Sequence, residues 1–205
     1  MPPDDLLHGD PETTQEAIMQ ATFRALCEHG YPDLTIQRIG DEFGKSKSLL
    51  YHHYDGKDDL LLDFLALMLD RFEAEVPAPP IEDPADHLDA ILDYGLAATL
   101  DEDRERFTRA MAELRAQAAH DEAYRDHFAR SDAFFRNHIA EVVRAGVEDG
   151  AFADVDPERV ADFVLVVLNG ARTQRVTGGT GEGVAAAREE MAAYVRCRLT
   201  GAADE

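Results

Sequence analysis

The sequence predicts an all-α protein, and three observations carry that expectation. Apolar residues recur at three- and four-residue spacing through nearly every long segment. No segment reads as a strand, and no internal repeat is present. Clusters of proline and glycine punctuate the periodic segments, most clearly at Val76-Pro77-Ala78-Pro79-Pro80 and Gly178-Gly179-Thr180-Gly181.

Taken in order, the acidic, proline-bearing start MPPDDLLHGDPETT is unlike a signal peptide and reads as an arm before the first helix. Thr13 or Thr14 caps a helix running to about His29, with Ile18, Ala21, Ala25 and Leu26 on its inner face. Gly30 ends it, Gly30-Tyr31-Pro32-Asp33 forms a turn, and Leu34 tucks back into a small core. Thr35 offers a capping oxygen to a short second helix whose Ile36, Ile39 and Phe43 share one face. Gly44 supplies the positive φ of a tight turn. A third helix, 45–54, turns Leu49 and Leu50 inward and leaves Lys45, Ser46, Lys47, Ser48, Tyr51 and His52 facing out. Two short helices joined at a glycine, the second rich in donors and cations at its start, are the pattern of a helix-turn-helix whose second helix fits a DNA major groove.

A fourth helix, 56–75, is apolar on more than one side and reads as a connector. Asp55 is placed to cap it, and Lys57 lies in its first turn, where a phosphate would sit. Beyond the proline run come helical segments at about 84–100, 104–119, 121–148, 157–176 and 183–199. The expected division is a three-helix head, 11–55, and a larger helical body, 56–200.

The formal charge of −22 is unusual for a DNA-binding chain, so its distribution matters. All three lysines fall in 35–57, where four basic side chains face three acidic ones. Residues 58–205 carry 15 basic and 32 acidic groups. A locally non-negative head thus sits on an acidic body. With arginine outnumbering lysine 17 to 3, the balance points to adaptation to high intracellular salt, where such charge is screened.

Other chemistries find little support. No Glu-x-x-His pair of a carboxylate-bridged metal bundle occurs, His52 and His53 are adjacent, and the remaining histidines are scattered. There is no phosphate loop, nucleophile elbow or paired thiolate, so no catalytic residue, cofactor or metal is expected. Cys27 and Cys197 lie in apolar-periodic contexts and read as small buried thiols. No run approaches the roughly 20 apolar residues of a membrane span, and a cytoplasmic protein is expected.

The chain resembles the TetR family of transcriptional regulators. The likeness rests on Gly30-Tyr31, Thr35-Ile36, Ile39-Gly40, Phe43-Gly44, Ser46-Lys47, Leu50-Tyr51, His53-Tyr54, Lys57 and Leu60-Leu61, within about 13–62. Leu49 departs from the threonine or small polar residue more usual there, which withdraws the expectation of a base contact from it. The resemblance implies a homodimeric repressor whose head reads a near-palindromic double-stranded operator. Thr35, Tyr51 and Lys57 would position the backbone, and Lys45, Ser46, Lys47, Ser48 and His52 would meet bases or phosphates. It also implies a small-molecule effector in the helical body. Phe107, Met111, Phe128 and Phe135 are the candidate lining, and their character points to a mainly hydrophobic effector.

Glu148-Asp149-Gly150-Ala151-Phe152, Val155-Asp156-Pro157 and Gly170 are similar to the family's C-terminal domains. There the last two helices, here about 157–176 and 183–199, pair with their copies in a dimer. Arg172, inside an otherwise apolar helix, would pair with an anionic ligand or with an acid across that dimer. The competing reading is a helical small-molecule or metal-binding bundle with no DNA-binding activity.

The charge pattern makes a direct prediction. In dilute buffer, self-repulsion should unfold the chain. Its helical circular dichroism should fall as salt is dialysed away and return when salt is restored; full helicity in low salt would remove the high-salt reading.

Overall fold

In a computed structural model, residues 10–11, 13–44, 47–75, 81–178 and 181–201 are described. They form α1 (Thr14–Asp33), α2 (Ile36–Glu42), α3 (Lys47–His53), α4 (Lys57–Glu75), α5 (Pro84–Gly95), α6 (Glu102–Gln117), α7 (Glu122–Glu148), α8 (Pro157–Thr177) and α9 (Glu182–Tyr194). A π-helical turn, Val195–Leu199, follows α9. No strand occurs among the described residues. Most of the expected arm, 1–9, the proline run 76–80 and Gly179-Thr180 lie outside them.

Local signals set the first three helices. The Thr13 oxygen accepts the Glu16 N–H at 3.1 Å, and the Glu16 carboxylate accepts the Thr13 N–H at 3.2 Å, closing a capping box. Gly30 breaks α1 with φ 69° and ψ 165°, so the expected end stands and only one turn, containing Pro32, continues to Asp33. The Thr35 hydroxyl oxygen caps α2 by accepting the Arg38 N–H at 3.2 Å. Gly44 carries φ +64° with open space where a Cβ would be, so backbone conformation alone calls for glycine there.

By packing, the chain groups into two units, 1–76 with 103–129 and 77–102 with 130–205. In the first, Leu26, Leu34, Ile39, Leu50, Leu60 and Phe64 belong to one buried core. The grouping crosses the expected division at 55–56, because α4 buries Leu60, Leu61 and Phe64 in the core that holds Ile39 and Leu50. In the second, Leu88, Leu92, Val142, Val143, Val160 and Val164 form a separate core with Val184 and Met191. Gly146 lets the Phe152 ring lie where a Cβ would project.

α5 ends at Gly95, short of the expected residue 100. The Arg175 guanidinium, from α8, donates to the carbonyls of Ala97 and Ala98 and holds that stretch out of the helix.

Leu50 is fully buried. Leu50→Ala should lower stability by about 2–5 kcal/mol, seen as an earlier denaturation midpoint in urea. An unchanged midpoint would take Leu50 out of the core.

Candidate nucleic-acid interface

The outward face of α3 is built from its buried one. With Leu50 inside and Leu49 packed against the same core, the helical period turns Ser48, Tyr51 and His52 to solvent. Tyr51 is 59% exposed, unusually open for an aromatic side chain. The His52 and His53 rings meet edge-on with centroids 5.4 Å apart. Tyr54 closes the helix, its hydroxyl donating to Asp63 of α4 at 2.6 Å. Burial, then the Asp63 bond, pushes that phenol's pKa up. Lys47 is the first residue of α3. Lys45 and Ser46 lie outside the described residues.

The two backbone-positioning candidates outside α3 are already engaged. Thr35 uses its oxygen as the α2 cap, which leaves its hydroxyl hydrogen to donate. The Lys57 ammonium donates to the Tyr31 carbonyl at 2.8 Å and lies 4.1 Å from the Tyr31 ring centroid. Two of its three hydrogens remain for another acceptor.

Three of the four effector candidates share the core of the first unit, and the fourth belongs to the second. Phe107 and Met111 pack on the core of the first unit, with the Phe107 ring 6.0 Å from that of Phe23. Phe128 is buried there, the Arg115 guanidinium 4.7 Å from its ring centroid. Phe135 belongs to the other unit, its ring 5.1 Å from that of Phe134. An open cleft of about 910 Å³ in the first unit has Gln20, Phe23, Arg24, Cys27, Glu42 and Arg106 among its lining, but none of the four candidates. Burial raises the Cys27 thiol to about 12.

One constellation escaped the sequence. His87 of α5 and His138 of α7, both in the second unit, bring their Nε2 atoms to 3.1 Å. Their separation of 51 residues gives no periodic signal. His138 Nδ1 is enclosed with no hydrogen-bond partner among the described residues. Burial first, then His87, lowers the His138 pKa, while Glu141 acts weakly against them. Among the described residues no group of three or more His, Cys, Asp or Glu is placed to hold a metal ion. No helix of the described residues is long and apolar enough to cross a membrane.

An all-helical chain opening on a helix-turn-helix defines a class of DNA-binding regulators. Residues 18–64 match the family described as bacterial regulatory proteins, tetR family, and residues 84–200 match the BetI-type transcriptional repressor C-terminal domain. The chain belongs to the TetR family of transcriptional regulators.

It is 26% identical over 197 residues to the HTH-type transcriptional repressor AcnR of Corynebacterium glutamicum, covering 93% of this chain and 97% of that one. A crystal structure of a TetR transcription regulator from Haloarcula marismortui is 40% identical with a TM-score of 0.80, covering 91% of this chain and 98% of that one. A Saccharomonospora viridis regulator crystallised with choline shares the fold at 23% identity and a TM-score of 0.74, covering 90% and 96%.

The histidine pair predicts a pH dependence. A histidine with a lowered folded pKa protonates first in the unfolded chain, so its contribution is complete above the ordinary value of about 6.5 and is lost as pH falls below it. Melting temperatures compared between wild type and His138→Gln should converge from pH 7.5 to pH 5. A constant difference would show that His138 does not titrate in this window.

Proposed function

We propose that the chain is a ligand-responsive repressor that binds a near-palindromic operator as a homodimer. The observation that carries this is the outward face of α3, where Ser48, Tyr51 and His52 stand exposed on a helix anchored by Leu50. In this reading 11–55 is the DNA-binding domain and 56–200 the effector-binding and dimerisation domain. Thr35 and Lys57 hold phosphates beside α3, while Lys45, Ser46, Lys47, Ser48, Tyr51 and His52 face the groove.

The dimer forms through α8 and α9. Phe163 and Val166 of α8 are 44% and 70% exposed, and the Phe163 ring lies 4.9 Å from that of Tyr194 on α9. These exposed apolar groups support a covered face. The other part of the stripe, Val160, Val164, Val184 and Met191, already fills this chain's own core. A helix-turn-helix dimer sets two heads one DNA turn apart, which is why release needs only a change in their spacing.

The effector is small and mainly hydrophobic, held against Phe107, Met111, Phe128 and Phe135; choline in the Saccharomonospora viridis neighbour shows a small molecule bound to a protein of this fold. The protein works in the cytoplasm. The acidic surface and the 40% identity to a Haloarcula marismortui regulator both support a salt-rich one.

DNA selected from a random pool by the wild-type protein provides the test. Lys47→Ala and Tyr51→Ala should each weaken binding to it by about tenfold while leaving the thermal melt unchanged. Wild-type affinity in both variants would remove α3 as the reading helix.

A further inference from the structure

Every polar group of Tyr31 is held. Its N–H donates to the Glu113 carboxylate of α6 at 2.6 Å. Its carbonyl accepts the Lys57 ammonium at 2.8 Å and the Leu34 N–H at 3.3 Å. Its hydroxyl donates to Asp58 Oδ1 of α4 at 2.9 Å. The same Asp58 oxygen accepts the hydroxyl of Tyr124, from α7, at 3.0 Å. The two phenol rings meet edge-on at 6.4 Å, and Tyr124 is 1% exposed. All these residues belong to the first unit.

Burial, followed by Asp58, raises the Tyr31 hydroxyl to about 12 and raises that of Tyr124 as well. Both phenols therefore stay protonated, and able to donate, at neutral pH. The site sits at a mechanical junction. Gly30 has just broken α1, and Thr35, four residues beyond Tyr31, starts the helix-turn-helix. Apolar packing tolerates sliding because it is non-directional, whereas hydrogen bonds weaken steeply with distance and angle. The Tyr31 turn, held from α4 and α6 and through Asp58 from α7, is restrained in both distance and angle.

We propose that Asp58 is a positioning residue for DNA recognition, joining the Tyr31 turn to α7 through a shared carboxylate oxygen and so setting the orientation in which α3 is presented. Glu113 supports the same turn from α6. This rests on the reading that the heads bind DNA as a pair, and it deepens that reading by naming the link between effector helices and head. Phe128 lies one turn along α7 from Tyr124, and Met111 two residues before Glu113 on α6. A molecule that shifts either helix pulls on the Tyr31 turn.

The prediction separates orientation from stability. A head with looser aim still fits one half-site, but two such heads meet both half-sites of an operator less often. Binding is measured by fluorescence anisotropy on a wild-type-selected duplex and on a single half-site cut from it, at a temperature where circular dichroism shows each variant folded. Tyr124→Phe and Asp58→Ala should weaken the two-site duplex by about tenfold and leave the half-site within about twofold. Asp58→Asn keeps an oxygen that accepts both phenols and should restore affinity. If Asp58→Ala does not fold, Tyr124→Phe carries the test.

Equal affinity of wild type and variants for the two-site duplex would overturn the positioning role and leave the DNA-binding reading intact. Equal losses on both duplexes would overturn it too, reducing the cluster to support of the head. A wild type that selects no DNA sequence at all would remove the functional reading itself.

Discussion

The structure depends on the fact that its reading helices cannot exist alone. α2 and α3 are seven residues each, far below the roughly 12–15 residues at which isolated helices become marginal in water. They persist because Leu34, Ile39, Phe43 and Leu50 are buried in a core shared with α1 and α4. The same burial decides which side chains remain outside. Anchoring and presentation are one constraint, and a change that loosens the first also blurs the second.

Charge shapes recognition in a second way. Three cations of the first unit are tied to its own atoms: Arg24 to the Glu42 carboxylate and carbonyl, Arg38 to the Asp33 carbonyl, Lys57 to Tyr31. A chain with 42 acidic and 20 basic side chains gains little from releasing counterions, least of all in strong salt. Under the proposed function, affinity then comes from close fit: base edges met by α3, backbone amides and hydroxyls at helix starts, and two heads held at the right separation. Rigid support of the Tyr31 turn serves that need better than added positive charge.

What the sequence made legible was local. The Thr13 and Thr35 caps, the Gly30 break and the Gly44 turn are each encoded within a few residues, and each lies where the residue pattern places it. The outward direction of Ser48, Tyr51 and His52 follows from the helical period once Leu50 is known to be inside. Pairings between distant residues were invisible. Arg175 ends α5 by reaching carbonyls 77 and 78 positions away. His87 meets His138, and Asp58 joins Tyr31 to Tyr124, with nothing periodic to announce either contact. Aromatic content marked the effector candidates as a class, but it carried no sign that Phe135 packs in a different unit from Phe107, Met111 and Phe128.

The two cysteines show how one scaffold makes unequal thiols. Cys197, expected to be buried, is exposed on the π-helical turn, while Cys27 sits half-covered on α1 with its proton held tightly by burial. Only the thiolate is a strong nucleophile, so at neutral pH Cys27 offers almost none. An alkylating reagent therefore meets Cys197 first, and Cys27, beside the open cleft of the first unit, reacts more slowly for want of thiolate. Two thiols of unequal reactivity thus let one reagent mark the π-helical turn before it marks the first helix.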